Sequence, residues 1–384
     1  MGRHFSHLNS AVKIIEKYDG SLPFNTFIKA FFSKEKRYGS KDRRQIASLC
    51  YAFFRSGHLL RKEVAEKIIT SIFLSEQSHS DFLAEIRPEW NEKITYLFED
   101  KLAFLQKKSQ ELFPFLHELS SQVDRDLFVR SLLVQPSLFL RIRPGKKQLV
   151  ETKLNAAGVA FKILDEDCVS LANSTKAEEI FKLNEEVVVQ DLNSQKVVDF
   201  VKGKFTAESP ESWDCCAASG GKSILLYDRL KGKVRLTVTD IRETILSKLH
   251  TRLHNAGIKI EQSYLADLSQ SGLPANNTFD IILCDVPCTG SGTWSRTPEQ
   301  MFYFQKSKIH MYAELQKKII ANSIPSLKKG ALFFYITCTV FSEENEQQVE
   351  FIKTNFAVKQ LHLEYLKGYE IKADTMFVAV FKAV

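Results

Sequence analysis

Asp214-Cys215-Cys216-Ala217-Ala218-Ser219-Gly220-Gly221-Lys222-Ser223 joins a short β-prone run to a helix-like one, and its middle is built from small residues. Small residues at such a junction let a ligand come close to the backbone of the turn and of the helix it opens. Outward from this stretch, strand-like and helix-like segments alternate from about residue 206 to the end, the pattern of a parallel sheet covered by helices on both faces. The runs predict strands at 211–215, 233–239, 258–264, 279–285, 331–337 and 375–382, with 357–366 as a further candidate. A long helix before the fifth of these is expected to end near Lys329-Gly330.

Ligands of an open parallel sheet bind where strands end and helices begin. The second predicted strand ends in Asp240, at the distance from Gly220 where a carboxylate can accept hydrogen bonds from a ribose diol, and Asp267 lies beyond the third. Two familiar phosphate motifs are excluded. A P-loop needs glycine five positions before Gly221, where Cys216 stands, and Gly290-Ser291-Gly292 follows the fourth strand with Ser295 in the place of a dinucleotide fingerprint's third glycine.

The fourth predicted strand runs into Asp285-Val286-Pro287-Cys288-Thr289-Gly290-Ser291-Gly292, and the fifth into Thr337-Cys338-Thr339, followed by Glu343-Glu344-Asn345-Glu346 at the start of a helix. Cys50, Cys168 and Cys284 read as small buried hydrophobes. Cys288 and Cys338 differ, since both lie just past neighbouring strands, where a thiol can meet a substrate. Seven cysteines without paired Cys-x-x-Cys spacing predict reduced thiols, no disulfide framework and no metal site.

Residues 1–128 read as a helical domain, with Ile46, Leu49, Cys50, Phe53, Gly57 and Leu60 recurring at three- and four-residue spacing. Residues 129–205 read as a small α+β module: Leu138-Phe139-Leu140-Arg141-Ile142 and Val187-Val188-Val189 are β-prone, and the helix-like segment 148–157 between them stops at Gly158. Residues 206–384 form the third domain. The longest apolar runs fall well short of the roughly 20 residues of a membrane span, and the N-terminus has no export signal, so the expected address is cytoplasmic. Fifty-three Lys and Arg against 46 Asp and Glu give a net charge of +7, which suits a polyanionic partner. Two clusters concentrate that charge: Lys34, Lys36, Arg37, Lys41, Arg43 and Arg44, and Arg141, Arg143, Lys146 and Lys147. Both are expected to face nucleic acid.

The three motifs at 214–222, 285–292 and 337–346 resemble those of the Fmu/Sun (RsmB-like) family of RNA 5-methylcytosine methyltransferases. Weaker similarity covers Val189-Gln190-Asp191, Arg296, Pro298 and Phe377-Val378-Ala379, and the basic helical start resembles the family's NusB-like RNA-binding domain. The resemblance implies an α/β chain: a Rossmann-like class I S-adenosylmethionine-dependent methyltransferase domain preceded by an all-helical NusB-like domain and a small α+β RNA-binding module. It implies that Cys216, Ala217, Ala218, Ser219, Gly220, Gly221, Lys222, Asp240, Asp267 and Asp285 hold S-adenosyl-L-methionine. It further implies that Cys338 attacks carbon 6 of cytosine, that Cys288 assists removal of the carbon 5 proton and release of the product, and that Asp285 and Lys222 serve the catalytic site. Ribosomal RNA is the expected partner, transfer RNA the alternative; oligomeric state leaves no mark in the sequence.

Three positions depart from the family pattern: Ser219 replaces a proline, which would loosen the loop, Thr289 replaces a serine, and Trp294-Ser295 precedes a single Arg296 where two arginines are common. Cytosine carbon 5 is too poor a nucleophile to take a methyl group without covalent activation, which is the chemistry a thiolate supplies. DNA cytosine methyltransferases attack with a Pro-Cys cysteine, which would make Cys288 the nucleophile; the Thr-Cys-Thr motif disfavours that. A small-molecule or protein methyltransferase fits poorly with two basic accessory domains. A catalytically inactive RNA-binding or ribosome-assembly factor is the alternative of a different class, and the intact cysteines count against it.

Overall fold

The computed structural model describes residues 2–59, 63–203, 209–273 and 277–384; Leu60 and the domain boundary at 206 lie outside them. The chain divides into two compact units, one of Met1–Leu119, Asp124–Gln135 and Thr293–Lys306, the other of Ser120–Val123, Pro136–Gly292 and Ser307–Val384.

The described residues of the first unit are helical. Helices Arg3–Glu16, Phe24–Lys34, Ser40–Arg55 and Val64–Ser75 turn apolar stripes inward, burying Ala11, Ile14, Phe24, Ile46, Cys50, Phe54 and Ile68 completely. The last helix of its N-terminal part is Arg125–Leu132. The returning segment 293–306 joins the same aromatic core: Phe302 packs 5.2 Å from Phe53 and Trp294 4.8 Å from Phe304. Of the first basic cluster, Lys34, Lys36, Arg37, Lys41 and Arg44 are exposed, while Arg43 Nε donates to Tyr38 O at 2.8 Å.

The second unit holds two sheets. In the smaller, strands β1 (Leu138–Ile142), β2 (Phe161–Asp165), β3 (Cys168–Leu171) and β4 (Val187–Val189) run in the order β2-β3-β1-β4, with helix Lys147–Ala156 between β1 and β2. Here the second basic cluster is corrected. Arg141 is completely buried and Arg143 nearly so, and both guanidinium groups close on Asp228, Arg143 Nε at 3.0 Å. A buried carboxylate that neutralises two arginines leaves neither free to meet a phosphate.

The larger sheet has seven strands: β5 (Glu211–Asp214), β6 (Arg235–Asp240), β7 (Ile260–Leu265), β8 (Phe279–Asp285), β9 (Leu327–Thr337), β10 (Val358–Leu366) and β11 (Met376–Ala383), in the order β10-β11-β9-β8-β5-β6-β7. It is a Rossmann-like sheet whose first five strands are parallel, whereas β11 pairs antiparallel with both β9 and β10. The link from β10 to β11 is too short for the crossover a parallel pair requires. The helix before β9 also differs from expectation, spanning Ser307–Ser323; Pro325 follows in a 3₁₀ turn, and Lys329-Gly330 lie inside β9, with Gly330 at φ +80°. Proline removes the donor that the next helical turn would need.

The strand order reverses at β5, which has β6 on one side and β8 on the other. The crevice at the carboxyl ends of strands flanking such a reversal is where this architecture receives ligands.

Candidate active site

At the end of β5 the backbone is pinned on both sides. Cys215 N donates to Leu283 O of β8 at 3.0 Å, and Ala217 N to Thr239 O of β6 at 2.9 Å. The turn then needs left-handed conformations at Ala218 (φ +45°) and Gly220 (φ +81°), of which the alanine's costs about 1 kcal/mol. Helix Gly221–Arg229 begins immediately after. The loosening expected from Ser219 is countered by a tether, because Arg252 Nη1 donates to Ser219 Oγ at 2.8 Å.

Two carboxylates from neighbouring strands face this turn. Asp214 is buried, and Ser223 Oγ donates to its Oδ2 at 2.6 Å while Oδ1 has no hydrogen-bond partner. Burial, reinforced by the charges of Asp285 and Asp240, pushes its pKa up to about 7 against the pull of Ser223 and Lys222. Asp285, the last residue of β8, accepts a 2.6 Å hydrogen bond from Lys222 Nζ. Burial alone would pull the Lys222 ammonium down, but the charge and hydrogen bond of Asp285, with Cys338 and Asp214 behind them, leave it raised.

Asp240 closes β6. Its carboxylate accepts from Ala218 N at 3.0 Å, so it is attached to the turn, and from Arg242 Nε at 2.9 Å. Burial works against its charge, yet the Arg242 and Ala218 bonds hold the pKa below the usual carboxylate range. Asp267 is bridged to the same strand end through Ala266 N, which donates to Asp240 O at 3.2 Å, while its own Oδ1 accepts from Ser269 N and Oγ.

On the other side of the switch point, Cys288 and Cys338 come together with their sulfurs 3.4 Å apart, each partly exposed. The Cys288 thiol is pushed up by its bond to Cys338 and by burial. Gly292 explains how the two loops approach. Its N donates to Cys338 O and its O accepts from Thr375 N, both at 2.9 Å, and a Cβ there would lie 2.2 Å from Thr375 O. No other residue fits.

The structure thus brings together Cys216 to Lys222 with Asp240, and Lys222 with Asp285; Asp267 is the outlying member, linked through backbone. Arg242, Arg252 and Gln316 were not singled out from sequence, and Glu344 entered only as part of the 337–346 motif, without a role of its own. Arg242 sits two residues past Asp240, a spacing that could have flagged it, whereas Gln316 lies on a distant helix and carried no signal. Among the described residues no group of three or more His, Cys, Asp or Glu is placed to hold a metal ion, and no helix is long and apolar enough to cross a membrane.

Residues 206–380 match the family model described as 16S rRNA methyltransferase RsmB/F. Over that segment, a little under half of its length, the chain is similar to the RsmB/F family. A relative from Bacillus subtilis, described as a probable ribosomal RNA small subunit methyltransferase B, is 30% identical over 56% of this chain and 49% of its own length. One from Psychromonas ingrahamii, a ribosomal RNA small subunit methyltransferase F, is 26% identical over 71% of this chain and 56% of its own. The chain thus spans about half the length of these curated RsmB/F relatives. Among solved structures, the crystal structure of PH0851 matches over 98% of both chains with a TM-score of 0.72 at 18% identity, a likeness of fold.

Proposed function

We propose that this chain is a member of the RsmB/F family and an S-adenosylmethionine-dependent RNA methyltransferase that modifies carbon 5 of cytosine, with ribosomal RNA as its substrate. The observation that carries the proposal is the meeting of Cys288 and Cys338, 3.4 Å apart, at the ends of adjacent parallel strands beside the Lys222–Asp285 pair. The names of the RsmB/F relatives support the substrate class.

The residues present fit the methyl donor. Asp240 is an ionised, nearly buried acceptor at the strand end where a ribose diol would sit, and Cys216, Ala217, Ala218, Ser219, Gly220 and Gly221 form the turn beside it, with Asp267 at its margin. When bound, the donor supplies an electrophilic methyl group. All else falls to the chain. Cys338, as thiolate, adds to carbon 6 of cytosine and leaves carbon 5 electron-rich enough to take the methyl group. Cys288 then removes the carbon 5 proton, the carbon 5–carbon 6 double bond re-forms and Cys338 leaves as thiolate. Asp285, oriented by Lys222, accepts from the pyrimidine edge. The target base must be unpaired or flipped out to reach the two sulfurs. The helical first domain, through the exposed cations among residues 34–44, would bind the surrounding RNA.

The test is transfer of labelled methyl to unmodified ribosomal RNA and transfer RNA pools by wild type, Cys338→Ala and Cys288→Ala. Label on carbon 5 of cytosine in ribosomal RNA, lost in Cys338→Ala and replaced by a protein–RNA adduct in Cys288→Ala, is the expected result. Label in the transfer RNA pool alone would move the substrate; no label in any RNA would point to an inactive binding factor.

A further inference from the structure

We infer that Glu344 is a positioning residue whose buried carboxylate clamps the loops carrying Cys288 and Cys338 and so sets the distance between their sulfurs. Glu344 is completely buried, although it lies in a 3₁₀ turn after β9 whose other two residues, Ser342 and Glu343, keep some contact with solvent. A carboxylate in that position is costly unless both oxygens are fully hydrogen-bonded, and here they are. Oε1 accepts from Thr289 N at 2.9 Å and from Gln316 Nε2 at 3.0 Å; Oε2 accepts from Thr289 Oγ1 at 2.6 Å and Thr339 Oγ1 at 2.8 Å.

These donors are the immediate neighbours of the two cysteines. Thr289 follows Cys288 and Thr339 follows Cys338, while Gln316 Nε2 also reaches Pro287 O, on the other side of Cys288, at 3.0 Å. Gln316 is itself held, since Tyr335 OH lies 3.0 Å from its Oε1. The next residue completes the grip on Cys338: Asn345 accepts from Thr337 Oγ1 at 2.6 Å and donates to Thr339 O at 2.9 Å. A hydrophobic side chain would fill the same space without the desolvation. What the carboxylate adds is a fixed, four-point geometry spanning two loops of distant sequence. It also gives Thr289 a purpose: the hydroxyl shared by threonine and serine is the group that reaches Glu344.

The inference deepens the reading given above, and its test needs neither RNA nor methyl donor, so the two can fail separately. In the full chain, diamide converts the two thiols to a disulfide, taking up the two protons and two electrons, at a rate that reports how often the sulfurs meet. Closure is followed by mass spectrometry of the Cys288–Cys338 cross-linked peptide, alongside alkylation of each thiol in the single Cys→Ala variants. Glu344→Gln is expected to slow closure at least ~10-fold, as charge-assisted bonds are lost, with single-thiol alkylation within about twofold of wild type. Should Glu344→Gln not fold, Thr289→Val removes one hydroxyl donor and is expected to slow closure several-fold, while Thr289→Ser recovers the rate. Unchanged closure in folded Thr289→Val, or in folded Glu344→Gln, would overturn the assignment.

Discussion

The two halves of the site are held together on opposite terms. Around the cysteines the clamping groups are fully engaged: Glu344 satisfies four donors, and Gly292 is bonded to both flanking segments. Around the β5 turn, polar capacity is left open, with Asp214 Oδ1 bare in the interior and Asp240 held by an arginine whose side chain is largely in solvent. The contrast teaches where each half expects its partner. Groups that must stay aligned through a reaction are locked in advance, whereas groups that must receive a ligand keep unsatisfied or exchangeable bonds.

The largest test of this division is at the sulfurs, where the proposed chemistry makes Cys338→Ala lose all measurable methyl transfer, read with labelled donor, while melting within a few degrees of wild type. A residual rate above the background of denatured protein would place the nucleophile elsewhere. On the open half, Asp214 should dominate. Its pKa of about 7 means that the folded state keeps a proton the unfolded chain releases above about pH 4, so stability declines as pH rises through that window. Asp214→Asn removes the titration and should gain on wild type by about 3 kcal/mol between pH 5 and pH 8, the part of the window below the folded pKa of about 7. Urea unfolding at the two pH values measures the gain, and equal differences at both would contradict it.

Next in size is the link between the halves. Asp285→Asn leaves the mostly buried Lys222 ammonium without its anion and should cost about 2 kcal/mol, less than a fully buried pair would because both groups keep some solvent. Adding Lys222→Met should recover part of that loss, and a strictly additive double mutant would show that the two do not depend on each other. The smallest effect is expected from Arg252→Ala, which frees Ser219 at a cost below about 1 kcal/mol. Its signature is faster hydrogen exchange of the backbone amides at Ser219 and Gly220, which a rigid turn would not show.

Much of this was legible from the chain. Small residues at 217–221, acids at strand ends and cysteines just past strands are local signals, and the alternation of segments ordered them correctly. What escaped was set by tertiary partners. Arg141 and Arg143 look like Lys34 and Arg37 in a sequence, because the Asp228 that buries them is more than 80 positions away. The antiparallel β10 and β11 looked like further parallel strands, since apolar runs carry no direction. Glu344 read as part of the 337–346 motif at the start of a helix, where acids are common and nothing marks one as buried. Its burial follows from threonines that converge on it only once β8 and β9 lie side by side.

Gly292 carries a consequence for how this chain can diverge. Three separate stretches, 285–292, 337–339 and the start of β11, meet at its one backbone unit, and there is no room for a single added carbon. Sequence drift elsewhere in the loops can be absorbed by compensating changes nearby, but here the obstacle is main chain, which no compensating side chain removes. Descendants of this fold that lose the glycine should be ones that have already given up bringing two thiols together.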